Sequence, residues 1–173
     1  MGEKKWFENY CGQTIDELIT LQSEYRVDSL NFAIEDALTK KEELLGDEEL
    51  SFEENVFLII MELDREVSSG GYHQFFVNSA PFVASTVQAL EAIGCVKTAR
   101  ITKSAIRALG VKGTIARGKI ESRVLGTGVD NALLANCNNE FFKYEEDIDL
   151  NLFEFAKRNS IKFDLTAMLQ STS

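Results

Sequence analysis

The side chains most able to carry out catalysis are scarce in this sequence. His73 is the only histidine, which excludes a catalytic triad, a histidine dyad and a metal site built from several histidines. Gln74, Asn78 and a nearby acid are the only neighbours with which His73 could form an active site. A lone histidine among aromatic residues is more often packed and hydrogen-bonded. We therefore expect His73 to be structural, and we assign no catalytic residue.

Metal and cofactor sites are not indicated either. Glu145, Glu146, Asp147 and Asp149 form an acidic run, but it lacks the alternating ligands and central glycine of an EF-hand, and no partner for a glycosidase pair is identifiable. The glycines after Leu109 fit no phosphate-binding motif, and the three cysteines have no C-x-x-C spacing. We predict no metal and no cofactor, and we expect the acidic run to be solvated in front of a helix.

Charge is distributed very unevenly along the chain. The 173 residues carry a formal net charge of -10. Residues 1–66 hold 18 acids against 6 bases, residues 67–139 hold 3 against 8, and residues 140–173 hold 7 against 4. Such blocks indicate either a charged partner or simple solubility. The densest block comprises Glu35, Asp36, Glu42, Glu43, Asp47, Glu48, Glu49, Glu53 and Glu54.

Eight of the 18 basic residues lie in one segment, residues 97–123. No aromatic residue between Phe82 and Phe141 is available to stack on nucleic-acid bases. The net charge of the molecule would also repel a polyanion. We therefore do not expect direct nucleic-acid binding by this segment, which contains Lys97, Arg100, Lys103, Arg107, Lys112, Arg117, Lys119 and Arg123.

Helices must position these groups. The chain has one proline and many Ala, Leu, Glu and Lys residues, which favours helix over sheet. Two capping boxes, Thr14 with Glu17 and Ser51 with Glu54, predict helix starts. We predict an all-α fold of eight or nine helices in a single compact domain, residues 1–173. Its least helical part is a glycine-containing loop region around 110–128.

The predicted helices can be placed along the chain by their caps and apolar spacing. They cover Thr14 to Tyr25, Asp28 or Ser29 to Leu45, Ser51 to Ser69, Tyr72 to Asn78, Pro81 to Gly94, Val96 to Leu109, Asp130 to Tyr144, and Leu150 to Asn159. In the second of these, the spacing turns Leu44 inward with the other apolar residues and turns Glu35, Asp36, Glu42 and Glu43 largely outward.

The sequence carries no secretory or membrane signal. The first ten residues lack an apolar stretch, and the longest apolar run, Val56 to Met61, is far too short to span a bilayer. We expect a cytoplasmic protein with no membrane partner.

A glycine-aromatic motif gives the sequence its family identity. Gly70 to Ser79 reads G-G-Y-H-Q-F-F-V-N-S, and further similarity follows in Val87 to Gly94 and Ala99 to Leu109. The chain resembles a bacterial family, first catalogued as a domain of unknown function, whose best-known member is a DNA-mimic protein of about this size. The resemblance is strongest from Glu53 to Leu109 and weaker from Asn139 to Phe163. It implies a protein that presents carboxylates in place of phosphates to a DNA-binding protein.

The acidic block can be compared with DNA by its spacing. Carboxylates three or four residues apart on a helix are about 4.5 to 6 Å apart along the axis, whereas a DNA strand has a phosphate every ~3.4 Å. Mimicry therefore needs carboxylates from two helices and the turn between them, which residues 35–54 provide. A solvated acidic face is the alternative.

The function most consistent with the resemblance is blockade of a helix-turn-helix transcription factor. Such regulators bind as dimers to two half-sites, so we expect a homodimeric mimic, an inference that also rests on the aromatic content. The first alternative is an acidic protein-protein interaction or adaptor domain without DNA mimicry. An enzyme centred on His73 comes third.

Overall fold

The computed structural model describes residues 3–8 and 10–166, and these residues form α-helices joined by turns. They contain no strand, only an isolated bridge between Lys5 and Tyr25, and none of their helices is long and apolar enough to cross a membrane. The all-α prediction is confirmed. The helices are α1 (Ile15–Thr20), α2 (Val27–Leu45), α3 (Phe52–Asn78), α4 (Val83–Ala92), α5 (Val96–Ala108), α6 (Arg117–Val124), α7 (Asn131–Phe141) and α8 (Ile148–Arg158).

The first two helices differ from the prediction at their ends. The capping box of Thr14 and Glu17 is present, but α1 ends at Thr20 and continues as a tighter 3₁₀ turn through Ser23. The start of α2 is preceded by Arg26 and not by Asp28 or Ser29. The Asp28 carboxylate pairs with the Arg26 side chain instead of capping the helix.

Two later predictions concern Pro81 and the glycine-containing loop region. Pro81 was expected to open α4, but it lies in a turn closed by a 2.9 Å hydrogen bond from the Phe82 N–H to the Ser79 carbonyl, and α4 begins at Val83. The loop region of residues 110–128 is confirmed. It encloses the two-turn helix α6.

Residue contacts divide the chain into two compact units. The first unit comprises residues 1–58 and 149–173, and the second comprises residues 59–148. Helix α3 therefore contributes residues 52–58 to the first unit and residues 59–78 to the second. The single domain expected over the whole chain stays a prediction.

In the first unit, α2 is buried over much of its circumference. Leu30, Ile34 and Leu38 are fully buried, and burial of such side chains stabilises a fold by about 1.5–3 kcal/mol each. The rings of Phe57 and Phe163 meet edge to face with centroids 5.9 Å apart. The segment after α8 therefore completes the core that α2 and the start of α3 begin.

A buried ion pair joins α2 to the first turn of α3. Lys41 Nζ donates to both carboxylate oxygens of Glu54 at 3.0 and 2.9 Å, and the two side chains are only 7% and 1% exposed. The Glu54 carboxylate also accepts the backbone N–H groups of Ser51 and Asp164, both at 2.8 Å. The predicted capping box is confirmed, because the Ser51 hydroxyl accepts the Glu54 N–H at 3.0 Å.

In the second unit, α3 breaks at the predicted glycine pair. Gly71 has φ +74°, and a Cβ there would lie 2.7 Å from the amide nitrogen of Asn138. Positive φ values are costly for residues with a side chain. The Asn138 carbonyl oxygen accepts the backbone N–H of Tyr72 at 2.9 Å. The break is therefore fixed by glycine conformation and by a hydrogen bond from the Tyr72 N–H to Asn138 of α7.

Beyond the break, the second arm of α3, residues 72–78, turns back beside the first. Asn78 donates a 2.7 Å hydrogen bond to Glu66, and the Ser79 hydroxyl donates to Glu62. The residue after the second arm, Ser79, thus contacts a position on the first arm further from the break than Asn78 does. This order of contacts is that of two antiparallel arms, so they form a helical hairpin. The hairpin encloses three fully buried aromatic side chains, Tyr72, Phe75 and Phe76.

The acidic run before α8 includes a helix cap. The Glu146 carboxylate accepts the backbone N–H groups of Lys97 and Thr98 at 3.0 and 2.8 Å and the Thr98 hydroxyl at 2.8 Å. Burial alone would raise the pKa of Glu146, but these hydrogen bonds outweigh it and the pKa is lowered. The expectation of a wholly solvated run is therefore wrong at Glu146, which satisfies the first N–H groups of α5.

The ion pair gives a stability prediction. Glu54→Gln leaves the Lys41 ammonium buried without a countercharge and is expected to lower the free energy of unfolding by about 3–5 kcal/mol. Glu53→Gln, next to it on a half-buried side chain, is the matched control and is expected to change it by less than about 0.5 kcal/mol. Urea denaturation measures both. Equal stability of the two variants would contradict the structural role of the pair.

The aromatic hairpin gives a second prediction. Truncation of Phe75 or Phe76 to Ala removes a fully buried ring and is expected to cost about 3–5 kcal/mol. Val77→Ala on the same arm, where the side chain is 44% exposed, is the control and should cost much less. If a phenylalanine variant lost partner binding with no change in melting temperature, the ring would be a contact residue and not a core residue.

The Glu146 cap gives a prediction about pH. Glu146→Gln is expected to cost about 1–2 kcal/mol at pH 7, because a charged acceptor is lost. Glu145→Gln should stay close to the parent, because the Glu145 carboxylate only pairs with the exposed Lys97 ammonium. Since folding lowers the Glu146 pKa, the stabilisation is full above the ordinary value of 4.5 and is lost as pH falls through the folded-state pKa. A parent–variant difference that persisted unchanged at low pH would contradict this assignment.

Candidate partner-binding surface

The structure divides the nine predicted contact carboxylates into three groups. Asp36, Glu43, Asp47, Glu48 and Glu49 are exposed, Glu42 and Glu53 are half-buried, and Glu35 and Glu54 are buried. The outward position predicted for Glu35 is wrong, because the buried face of α2 is broad enough to include it. Glu54 is likewise unavailable to a partner, because its oxygens are bound to Lys41 and to backbone N–H groups.

The accessible carboxylates are concentrated where α2 gives way to α3. We call residues Glu43, Asp47, Glu48 and Glu49 the acidic corner. Three of them occupy the 3₁₀ turn Asp47–Glu49. Gly46, with φ +101°, allows the chain to leave α2, and a Cβ there would lie 2.8 Å from a carboxylate oxygen of Glu48. Glycine is therefore required for this corner to form with Glu48 in its present position.

Asp36 lies two helical turns before the corner and differs from it electrostatically. Its carboxylate is 2.6 Å from the ammonium group of Lys40 in an exposed i,i+4 ion pair. Such a pair is worth little for stability, but it offsets the negative charge that Asp36 presents. The accessible charge of this region therefore lies mainly in the acidic corner.

Two large apolar side chains are exposed beside the acidic corner. Leu44 is 66% exposed and Phe52 is 57% exposed, so the inward position predicted for Leu44 is wrong. Leu44 lies in the last turn of α2, immediately before the chain reverses direction. The spacing of apolar residues along a helix does not show where the helix extends beyond the core, and Leu44 lies beyond it. The region therefore offers apolar contact area as well as negative charge.

The net charge of the protein is distributed unequally between the two units. The first unit holds 18 acidic against 8 basic residues and accounts for the entire net charge of -10, whereas the second holds 10 of each and is neutral. The acidic corner belongs to the charged unit. A partner with a basic surface is therefore attracted to the first unit at long range.

The structure gives no support to a pocket at His73. The His73 side chain is exposed, so the expectation that it would be packed is wrong. Gln74 is half-buried, and Asn78 is bound to Glu66. Cavities of about 460 and 400 Å³ lie elsewhere in the second unit, the first beside α5 and the second beside α6, and His73 does not line them. Within residues 3–8 and 10–166, no three His, Cys, Asp or Glu side chains gather as metal ligands would.

Comparison with known proteins relates the chain to one family. No curated protein and no solved structure matches it. The family model described as DMP19-like protein matches residues 48–159, well over half of the chain. The matched region includes the glycine-aromatic motif, and its first residues, Glu48 and Glu49, lie in the acidic corner. The family predicted from the motif is therefore confirmed, and the chain belongs to the DMP19-like protein family.

Proposed function

We propose that this protein is an acidic DNA mimic that binds the DNA-binding surface of a helix-turn-helix transcriptional regulator and blocks its access to DNA. Family membership supports the mimicry. The observation that carries the proposal is the acidic corner, four exposed carboxylates on the unit that holds the whole net charge. A basic surface built to bind phosphates attracts such a group electrostatically.

The arrangement of the corner accords with this role. Successive phosphates on one DNA strand are about 3.4 Å apart along the axis, closer than carboxylates one helical turn apart. The consecutive acids of the turn Asp47–Glu49 supply the higher density, and Glu43 extends the group onto α2. Of the two helices and the turn that the spacing argument required, the corner supplies α2 and the turn, whereas Glu53 and Glu54 at the start of α3 are half-buried and buried.

A dimeric regulator favours a dimeric mimic. Helix-turn-helix dimers contact half-sites about 34–36 Å apart, and two copies of this chain related by a twofold axis would present two corners to such a pair of sites. The homodimer is part of the proposal and follows from this symmetry.

An acidic adaptor without DNA mimicry is the second candidate. It is favoured by Leu44 and Phe52, since exposed aromatic and aliphatic side chains are typical anchors of protein interfaces. It is also favoured by the limits of the family match, which starts at residue 48 and leaves Glu43 and Asp47 outside. The two candidates differ in whether DNA and this protein compete for one surface.

Charge removal at the corner tests the proposal. A regulator is first captured from lysate at low salt and identified, and its operator is used in gel-shift competition. The corner variant Glu43→Gln, Asp47→Asn, Glu48→Gln, Glu49→Gln is expected to weaken binding to the regulator on the order of tenfold or more, mainly through slower association. Binding by the parent should also weaken as salt is added.

The chain offers a matched control. Glu3, Glu8, Asp16 and Glu24 are exposed acids outside the acidic block, and their conversion to amides removes the same charge. This control should bind within about twofold of the parent, because distant exposed charges are screened. Unchanged binding by the corner variant, or a complex in which operator and this protein occupy the regulator together, would refute mimicry through the corner. The second outcome would favour the adaptor.

A further inference from the structure

Six basic side chains surround two adjoining cavities in the neutral second unit. A cavity of about 460 Å³ lies between α5 and the loop that follows it, and a cavity of about 400 Å³ lies between that loop and α6. Val111 lines both. No acidic residue lines either one. The first is lined by Arg100, Lys103 and Arg107, and the second by Lys112, Lys119 and Arg123.

These six cations differ from the other bases of the same segment. Lys97 and Arg117 form ion pairs with Glu145 and Glu121 at 2.9 and 2.7 Å. None of the six forms an ion pair with another residue in the part of the chain that the structure describes. A protein with a net charge of -10 thus keeps six basic groups around one concave region without neutralising them, although like charges repel.

The loop region of residues 110–128, which encloses α6 and carries half of these cations, is tied to its surroundings. Its end returns to α5 through a 2.8 Å hydrogen bond from the Asp130 N–H to the Ala108 carbonyl. Lys119 Nζ donates to two loop carbonyls, those of Lys112 and Thr114, each at 3.3 Å. The cavities are therefore held by contacts that connect α5, the loop and α6.

Glycine makes room for one of the cations. Gly128 has φ +111°, and a Cβ there would lie 2.8 Å from a guanidinium nitrogen of Arg123. Any other residue would be strained in backbone and would displace the guanidinium. The position of Arg123 beside the cavity thus depends on a backbone conformation that glycine alone adopts readily.

We propose that this basic double cavity binds a small multivalent anion through its phosphate groups. Arginine and lysine are the side chains that bind phosphate best, and the cavities have the volume of small-ligand sites. No aromatic residue lies between Phe82 and Phe141, so a nucleobase would find no ring to stack on. The net charge of the molecule disfavours a long polyanion. The site shares no residue with the acidic corner, which belongs to the first unit.

Pyrophosphate is the probe for this proposal. Isothermal titration at low ionic strength is expected to show saturable binding with one site per chain, weakened by added salt. The variant Lys103→Gln, Arg107→Gln is expected to weaken it about tenfold or more. The control Arg158→Gln, Lys162→Gln makes the same charge change at exposed positions of the first unit and should bind within about twofold of the parent.

Further ligands distinguish the sources of phosphate. A nucleoside diphosphate should bind about as tightly as pyrophosphate if phosphate alone is recognised, whereas a tenfold preference for the nucleotide would overturn that statement. Absence of saturable pyrophosphate binding, equal weakening in the control, or binding of a short DNA duplex but not of pyrophosphate would each overturn the proposal. The acidic-corner variant should keep pyrophosphate binding, so this outcome is independent of the test of mimicry.

Discussion

The buried ion pair between Lys41 and Glu54 is the interaction on which the acidic corner depends. Carboxylates gathered at a chain reversal repel one another, and the repulsion favours an open turn. On either side of this corner in the chain lie Lys41 and Glu54. The buried Lys41 ammonium donates to both oxygens of the Glu54 carboxylate, which also accepts the N–H groups of Ser51 and Asp164. Desolvation makes such a pair a poor source of net stability. We infer that its effect is specificity, because a chain path that buried one of the two groups without the other would leave a charge unpaired in the core.

The family motif and the proposed contact surface serve different purposes. Gly71 allows the helix to reverse, the buried rings of Tyr72, Phe75 and Phe76 pack in the hairpin, and Asn78 and Ser79 bind its first arm. These contacts explain why the motif identifies a family of folds without identifying a partner. The acidic corner lies at the edge of the matched region, where side chains are free to change without harm to the core. Relatives that share the hairpin are therefore not bound to share a partner.

Sequence patterns predicted what local chemistry determines. The capping box at Ser51, the stop at Gly70–Gly71 and the all-α class follow from hydrogen bonds and backbone freedom within a few residues. The errors arose where distant residues decide. Glu35 was placed outward because helical period cannot reveal how broad a buried face is, and Glu146 was left in solvent because its ligands, Lys97 and Thr98, lie nearly fifty residues away. The pairing of Glu54 with Lys41 was not predicted either, because the two residues lie on different helices, 13 positions apart.

The discontinuous first unit has a consequence for synthesis on the ribosome. Its core combines Leu30, Ile34 and Phe57 with Phe153 and Phe163, so nearly the whole chain must be made before that core can close. The second unit has all its residues once Ile148 has emerged, and domains fold as their chains become complete. We therefore expect the neutral unit to fold first along the growing polypeptide.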